Sequence, residues 1–227
     1  MSPKISVIIP AYNEEESLPH VLNDLPQDRL HQIIVVDNRS ADRTAEVARA
    51  NGATVVSEKC RGYGQACLTG MDTLDNPDIV VFLDGDYSDF PEEIDLLVEP
   101  IAKGEADFIV GSRMILKESR KALLPQARYG NQLAVFLIRL FFGHRFTDLG
   151  PFRAIRYESL QAIGMRDRDF GWTVEMQIKA VQKGLRIREV PVRYRMRIGV
   201  SKITGTVSGT LKAGTKIIYT IFKYLIT

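Results

Sequence analysis

Three aspartates follow one short apolar run: in VVFLDGDYSDFPEEI (80–94), Val80, Val81, Phe82 and Leu83 lead into Asp84, Asp86 and Asp89. Carboxylates this close repel one another, so a cation is expected among them. Asp84 and Asp86 flank Gly85, which permits a sharp change of direction. Two oxygen donors at that spacing suit Mg²⁺ or Mn²⁺, an ion that takes one or two carboxylates and completes its shell with water and phosphate oxygens. Asp89 reads differently. DFPE has the spacing of a capping box, with Asp89 as N-cap and Glu92 three residues on.

Other polar groups stand at similar places. Tyr12, after ISVIIP, offers an aromatic face to a base, and Asp37, after QIIVV, offers a carboxylate to a base N–H or a ribose hydroxyl. Both segments also read as plain helix starts, with Asn13 capping ahead of Glu16 and Ser40 capping the next helix. GYGQA (62–66) is neither a G-x-G-x-x-G fingerprint nor a phosphate loop with G-K-[ST], which argues against dinucleotide oxidoreductases and P-loop NTPases. A strand followed by D-x-D also begins the haloacid-dehalogenase-type phosphatases, where the first Asp is the nucleophile. That motif sits on a first strand and continues D-G-T. Here it falls on the fourth or fifth strand and continues Y-S-D.

The elements that must position these groups alternate. ISVIIP (5–10), QIIVVD (32–37), ATVVS (53–57), DIVVFLD (78–84) and ADFIVGS (106–112) are near-continuous apolar runs, as strands buried on both faces are. Segments 14–25, 41–51, 63–74 and 91–103 between them have helical periodicity. Strands and helices alternating in this way make βαβ units and a mainly parallel sheet, with ligands where the strands end. PAYNEE, DNRSAD and DGDYSD should therefore meet in one crevice. Further on, 127–146 reads as a helix apolar nearly all round. GPFRAIR reads as a strand, 172–184 as a helix and RIREVPVRYR as a strand, and 211–227 reads as an amphipathic helix with Lys212, Lys216 and Lys223 on its polar side.

Bulk properties bound the rest. A chain of 227 residues, 45% hydrophobic and 26% charged, is ordinary for a globular domain with a substantial core. A formal charge of +2 gives no argument for a nucleic-acid partner, and none is expected. The charge is uneven, however: residues 184–202 hold five arginines and a lysine against one glutamate. That segment suits a phosphate or anionic-lipid partner, or else a strand edge protected by charge. Cys60 and Cys67 form no C-x-x-C pair and are expected to be free thiols in a reducing compartment. The opening turns polar after one strand's length, so no signal peptide is expected. The longest apolar run, 133–142, is about half of the ~20 residues that span a bilayer.

Taken in order, ISVIIPAYNEEESL, IIVVDNRSADRT, RGYGQA, VVFLDGDYSDFPEEI, FIVGSR, DLGPFRAIR, GWTVEM and REVPVRYRMRIGVSK resemble inverting family-2 glycosyltransferases of the GT-A fold. Within that family the chain is most similar to the dolichol- or polyprenyl-phosphate sugar synthases, over about residues 4–205. The resemblance implies one GT-A domain, an α/β Rossmann-like sheet flanked by helices. About 1–115 would bind the nucleotide, about 116–210 the acceptor, and 211–227 would form an amphipathic tail. It implies that Pro10, Tyr12, Glu14, Asp37, Gly62 and Asp84 line the nucleotide pocket, and that Asp84 and Asp86 hold the metal on the donor diphosphate. Arg113 would stand near the transferring phosphate or acceptor. Arg197 and Lys202 would close over the diphosphate, with Arg195 competing because R-x-G-x-S-K is one residue shorter than the synthases' motif. Residue 38 is Asn where the family often has a second Asp. No Q-x-x-R-W motif of processive polysaccharide synthases is present.

The chemistry agrees with that likeness. Transfer from a UDP- or GDP-hexose must stabilise a departing diphosphate, which a divalent ion with Arg and Lys does electrostatically. A polyprenyl phosphate acceptor is already an anion and needs no general base. A hydroxyl acceptor needs one, and Glu175 is the candidate; otherwise it pairs with Lys179 at i+4. The apolar surface of QLAVFLIRLFF and of the tail, edged by Arg and Lys, suits peripheral contact with the inner face of the cell membrane, and equally a core or a homodimer face. Trp172 would floor the acceptor pocket or sit in the core. The expected location is cytoplasmic.

Overall fold

The computed structural model describes residues 2–199 and 207–226. The first half delivers β1 (Ile5–Ala11), α1 (Leu18–Asp24), β2 (Gln32–Asp37), α2 (Thr44–Ala50), β3 (Thr54–Ser57), α3 (Tyr63–Met71), β4 (Ile79–Phe82) and α4 (Ile94–Ala102). The second delivers β5 (Phe108–Ser112), α5 (Lys117–Ala122), α6 (Pro125–Phe142), β6 (Arg153–Arg156), α7 (Tyr157–Ile163), α8 (Trp172–Gln182), β7 (Ile187–Pro191) and α9 (Val207–Lys223). The strands join in one sheet, in the order β3-β2-β1-β4-β6-β5-β7. All pairs are parallel except those of β6, which runs antiparallel between β4 and β5.

Side chains alternate faces along each strand, so every apolar run feeds two cores. Val7, Ile9, Val35 and Val81 pack with Leu18, Leu22, Leu97 and Ile101 of α1 and α4 on one face. Ile8, Ile34, Val36, Val80 and Phe82 pack on the other with α3, α6, α7, α8 and α9. Trp172 is fully buried in this second core, which decides between its two expected places. Burial on both faces is why these runs lack a polar alternation.

The order of the strands sets the site. From β1 the chain winds outward through β2 to β3, then returns to lay β4 on the other side of β1. The crevice between the carboxyl ends of β1 and β4 is a topological switch point, where open α/β sheets bind ligands. Pro10 fits this edge, because β4 pairs with β1 only as far as Ile8.

Several expected boundaries move. α1 starts at Leu18, not near Asn13, whose backbone sits at φ 53° and whose amide donates to Ser40 Oγ. Asn13 and Ser40 thus tie two loops together and cap neither helix. α6 starts at Pro125, where a missing N–H is tolerated, and ends at Phe142, four residues before its expected limit. The short helices α5 and α7 had no signal strong enough to be read from the sequence. Among the described residues no helix is long and apolar enough to cross a membrane, and Cys60 and Cys67 are free.

Candidate active site

The switch-point crevice is a cavity of about 350 Å³. β1 and its loop supply Pro10, Tyr12 and Glu14, and the β2 end supplies Asn38. The segment opening α3 supplies Arg61, Gly62 and Tyr63, and β4 supplies Asp84, Gly85 and Asp86. From the second half come Asp169, Phe170 and Arg197. Eight of the positions named from sequence are therefore brought together: Pro10, Tyr12, Glu14, Gly62, Asp84, Asp86, Arg197 and the departing position Asn38.

The carboxylates stand as a strained pair. Burial, and then the charge of Asp86, pushes the Asp84 carboxyl up to about 7, against a hydrogen bond from Tyr63 Oη at 3.1 Å. Asp86 turns one oxygen to the amide and hydroxyl of Ser88 and the other to Arg197 Nη1 at 3.0 Å. Arg197 Nη2 also reaches Glu14 Oε1 at 2.7 Å, so one guanidinium bridges the β1 loop and the β4 end. Tyr12 carries Arg61 over its ring at 4.0 Å, and Arg61 donates to its hydroxyl at 2.6 Å.

Glycines allow the close approach that closes this wall. A Cβ on Gly62 would fall 2.1 Å from the Arg168 carbonyl oxygen, and one on Gly64 equally near that of Asp167. The segment 166–171 thereby lies directly on the start of α3, with Gln65 N donating to Arg168 O at 2.9 Å. This contact carries Asp169 and Phe170 into the cavity. Burial, and then the charge of Asp167, raises the Asp169 carboxyl above its ordinary range.

Other expectations are corrected. Glu175 does not face the cavity: it is fully buried, takes the amides of Arg166 and Asp167, and pairs with Lys179 at 2.7 Å. A carboxylate with every lone pair engaged is not available as a base. Arg113 lines no part of the cavity, bound in a fork to Asp148 with Nε and Nη2 each at 2.8 Å and stacked on Tyr194, although its charge still acts on the Asp84 and Asp89 carboxyls. Asp37 stays at the end of β2, where Oδ1 accepts from the Ser40 amide, and lines no part of the cavity.

Arg195, unlike Arg197, lines no part of the cavity. Its guanidinium lies 3.4 Å from the Tyr87 ring centroid, and its Nε donates to the Tyr87 carbonyl at 2.8 Å. Tyr87 needs holding, for its φ of 62° is unusual for an aromatic residue. The remaining arginines of the basic segment pair with acids: Arg186 with Asp107, Arg188 with Glu105, and Arg193 with Glu92 and Glu93. The charge there is a neutralised strand edge. Asp89 caps nothing: it is buried, neither oxygen has a hydrogen-bond partner among the described residues, and burial with Asp84 nearby drives its carboxyl well upward. Lys202 lies outside the described residues.

Sequence reasoning missed Arg61, Tyr63, Asp169 and Phe170, which line the cavity. Arg61 and Tyr63 were at least inside a quoted motif, RGYGQA. Asp169 stands in RDRDF with no local pattern to mark it, since only the loop's packing against α3 puts it in the crevice.

A doubly wound sheet whose switch-point crevice gathers two carboxylates, an arginine and an aromatic ring is a nucleotide-binding transferase architecture. Residues 6–164 match Glycosyl transferase family 2, and the chain belongs to that family of glycosyltransferases. An uncharacterised glycosyltransferase of Mycobacterium tuberculosis is 37% identical over 92% of this chain and 94% of its own length. The undecaprenyl-phosphate mannosyltransferase of Micrococcus luteus is 31% identical, covering 91% of this chain and 90% of its own. Among solved structures, glucosyl-3-phosphoglycerate synthase from Mycobacterium tuberculosis, in complex with Mn²⁺, UDP and glucosyl-3-phosphoglycerate, superposes with a TM-score of 0.76. It is 24% identical and covers 98% of this chain and 80% of its own. The GT-A architecture expected from the sequence is the one observed.

Proposed function

We propose that this glycosyltransferase moves a hexose, with inversion, from a UDP- or GDP-sugar to a polyprenyl phosphate at a membrane surface. The observation that carries the acceptor is the outer face of α6 and α9. Tyr129, Leu133, Phe136 and Leu140 of α6 and Leu211, Tyr219 and Phe222 of α9 are exposed, and Phe141 meets Phe222 between the two helices. Neither helix contains an acidic residue, while Arg128, Arg139, Lys212, Lys216 and Lys223 lie along them. Apolar area edged by cations suits the headgroup region of an anionic bilayer. The likeness to a mannosyltransferase that uses undecaprenyl phosphate supports the same reading.

Asp84 and Asp86 fit a divalent cation, because burial and mutual repulsion hold the pair in a state that a cation would relieve. Bound Mg²⁺ or Mn²⁺ would supply charge stabilisation for the diphosphate that leaves. This chain's own residues account for the rest. Tyr12 and Arg61 offer a stacked wall for the base. Arg197 offers guanidinium donors within reach of the diphosphate position, where an ordered cation lowers the barrier most. A phosphate oxygen of the acceptor forms the new bond to the anomeric carbon as the bond from that carbon to the donor diphosphate breaks. The nucleophile is already anionic, so no proton has to be removed.

A second reading has its own observation. Asp169 lines the cavity with a carboxyl raised above its ordinary range by burial, so a hydroxyl acceptor would find its base there. The test is release of nucleoside diphosphate from a panel of UDP- and GDP-hexoses with Mn²⁺, with and without a short polyprenyl phosphate. Release that depends on the lipid phosphate and survives Asp169→Asn supports the first reading. Release indifferent to lipid and abolished by Asp169→Asn replaces it with the second.

A further inference from the structure

Glu175 is a buried charge that the transfer chemistry does not use, and its partners come from two distant places. Its oxygens accept from the amides of Arg166 (3.0 and 3.1 Å) and Asp167 (2.6 Å), and from Tyr224 Oη at 2.5 Å. Tyr224 follows directly on α9, and Thr220, Ile221 and Tyr224 are the residues by which this C-terminal segment is buried. A second link lies alongside. Lys216 of α9 pairs with Asp167 Oδ2 at 2.8 Å, while Asp167 Oδ1 accepts from the amides of Asp169 (2.8 Å) and Gly171 (3.2 Å). Segment 166–171 is thus gripped from behind by α9 through Glu175 and Asp167. In front it lies on Gly62 and Gly64, at the nucleotide wall.

We propose that Tyr224 and Glu175 are a positioning pair, through which the C-terminal helix holds Asp169 and Phe170 in the shape the transfer step needs. The inference rests on the transferase reading only for its effect on turnover. A loop tethered at one end alone could still form the nucleotide wall, because the α3 contact is separate. Loss of the Tyr224 hydroxyl should therefore reach the reacting end of the cavity and spare nucleotide binding. It leaves Glu175 with its two amides and Lys179, so the core need not collapse. Tyr224→Phe is for that reason a gentler probe than Glu175→Gln.

The experiment compares wild type, Tyr224→Phe and Lys216→Met, in the full chain, by three readouts: amide hydrogen exchange, calorimetric binding of UDP and GDP, and turnover. Expected for Tyr224→Phe are exchange at 166–171 at least about tenfold faster with β1 and β4 unchanged, nucleotide Kd within about twofold, and kcat lower by about tenfold. Lys216→Met should move the same amides. Tyr224→Phe combined with Lys216→Met should add little to the loss of either alone, because both changes act through one loop. Unchanged exchange at 166–171 overturns the proposal. So does a normal kcat with a loosened loop, or a kcat loss matched by equal loss of nucleotide binding. If wild type turns over no donor, the transferase reading falls, and the exchange rates alone decide whether the pair holds the loop.

Discussion

Arg113 and Asp148 form a bidentate pair across 35 residues of sequence, with Asp148 fully buried and the Arg113 amide donating to the same carboxylate. Asp148 is itself anchored, its amide donating to Glu189 at 3.1 Å. The end of β5 is thereby fixed to the turn before β6 and to β7. Removing one member strands the other as a buried charge, which typically costs about 3–5 kcal/mol. Asp148→Leu should lower the urea-unfolding free energy by that order. The double variant Arg113→Met/Asp148→Leu should lose less than the sum of the single changes.

Asp84 predicts a pH dependence. Its carboxyl keeps a proton up to about 7 in the fold, whereas in the unfolded chain it releases one near ~3.9. Between these values Asp84 holds more protons in the folded than in the unfolded state, so its contribution to the stability of the metal-free protein falls as pH rises and levels off above about 7, while the raised Asp89 carboxyl acts with the same sign. The slope from Asp84 is at most about 1.4 kcal/mol per pH unit. Urea midpoints from pH 4.5 to 8 with chelator present should show this fall, and Asp84→Asn should make it shallower. Mn²⁺ binding in the presence of nucleoside diphosphate should strengthen over the same range and be lost in Asp84→Asn.

Arg195 and Arg197 differ by two positions and should differ sharply in effect. Arg197 reaches Asp86 and Glu14 in the cavity, so Arg197→Ala should reduce kcat/KM by about 10²–10³ with little loss of stability. Arg195 holds the strained Tyr87 from outside, so Arg195→Ala should cost roughly 1–3 kcal/mol of stability and leave turnover within about threefold. Steady-state kinetics beside thermal unfolding separates the two.

Two glycine-to-alanine changes should act with opposite sign. Alanine is favoured over glycine within a helix by about 0.8–1 kcal/mol. Gly130 in α6 has nothing within 4 Å of a new Cβ, so Gly130→Ala should stabilise by up to that amount. Gly64 in α3 would set its Cβ 2.1 Å from the Asp167 carbonyl, so Gly64→Ala should destabilise by about 1–3 kcal/mol and displace segment 166–171. Denaturant titration of both variants checks the pair.

The sequence by itself determined the elements and the near side of the site. Runs such as IIVVD and IVVF, apolar on both faces, can be stable only inside a sheet, and the loops that follow them then gather at one edge of it. Pro10, Tyr12, Glu14, Asp84 and Asp86 are local consequences of that rule and were legible. Which charge faces that crevice was decided only in three dimensions. Arg195 and Arg197, two residues apart, take opposite roles because one meets the Tyr87 ring and the other meets Asp86. Glu175 looked like a base on a helix and became a tether, because the chain brings Tyr224 and the 166–167 amides to it. Asp169 had no pattern of its own and entered the cavity through packing against Gly62 and Gly64. Strand and helix formation depends on neighbours in sequence, which periodicity records. The pairing of a charge depends on neighbours in space, which here lie tens of residues away.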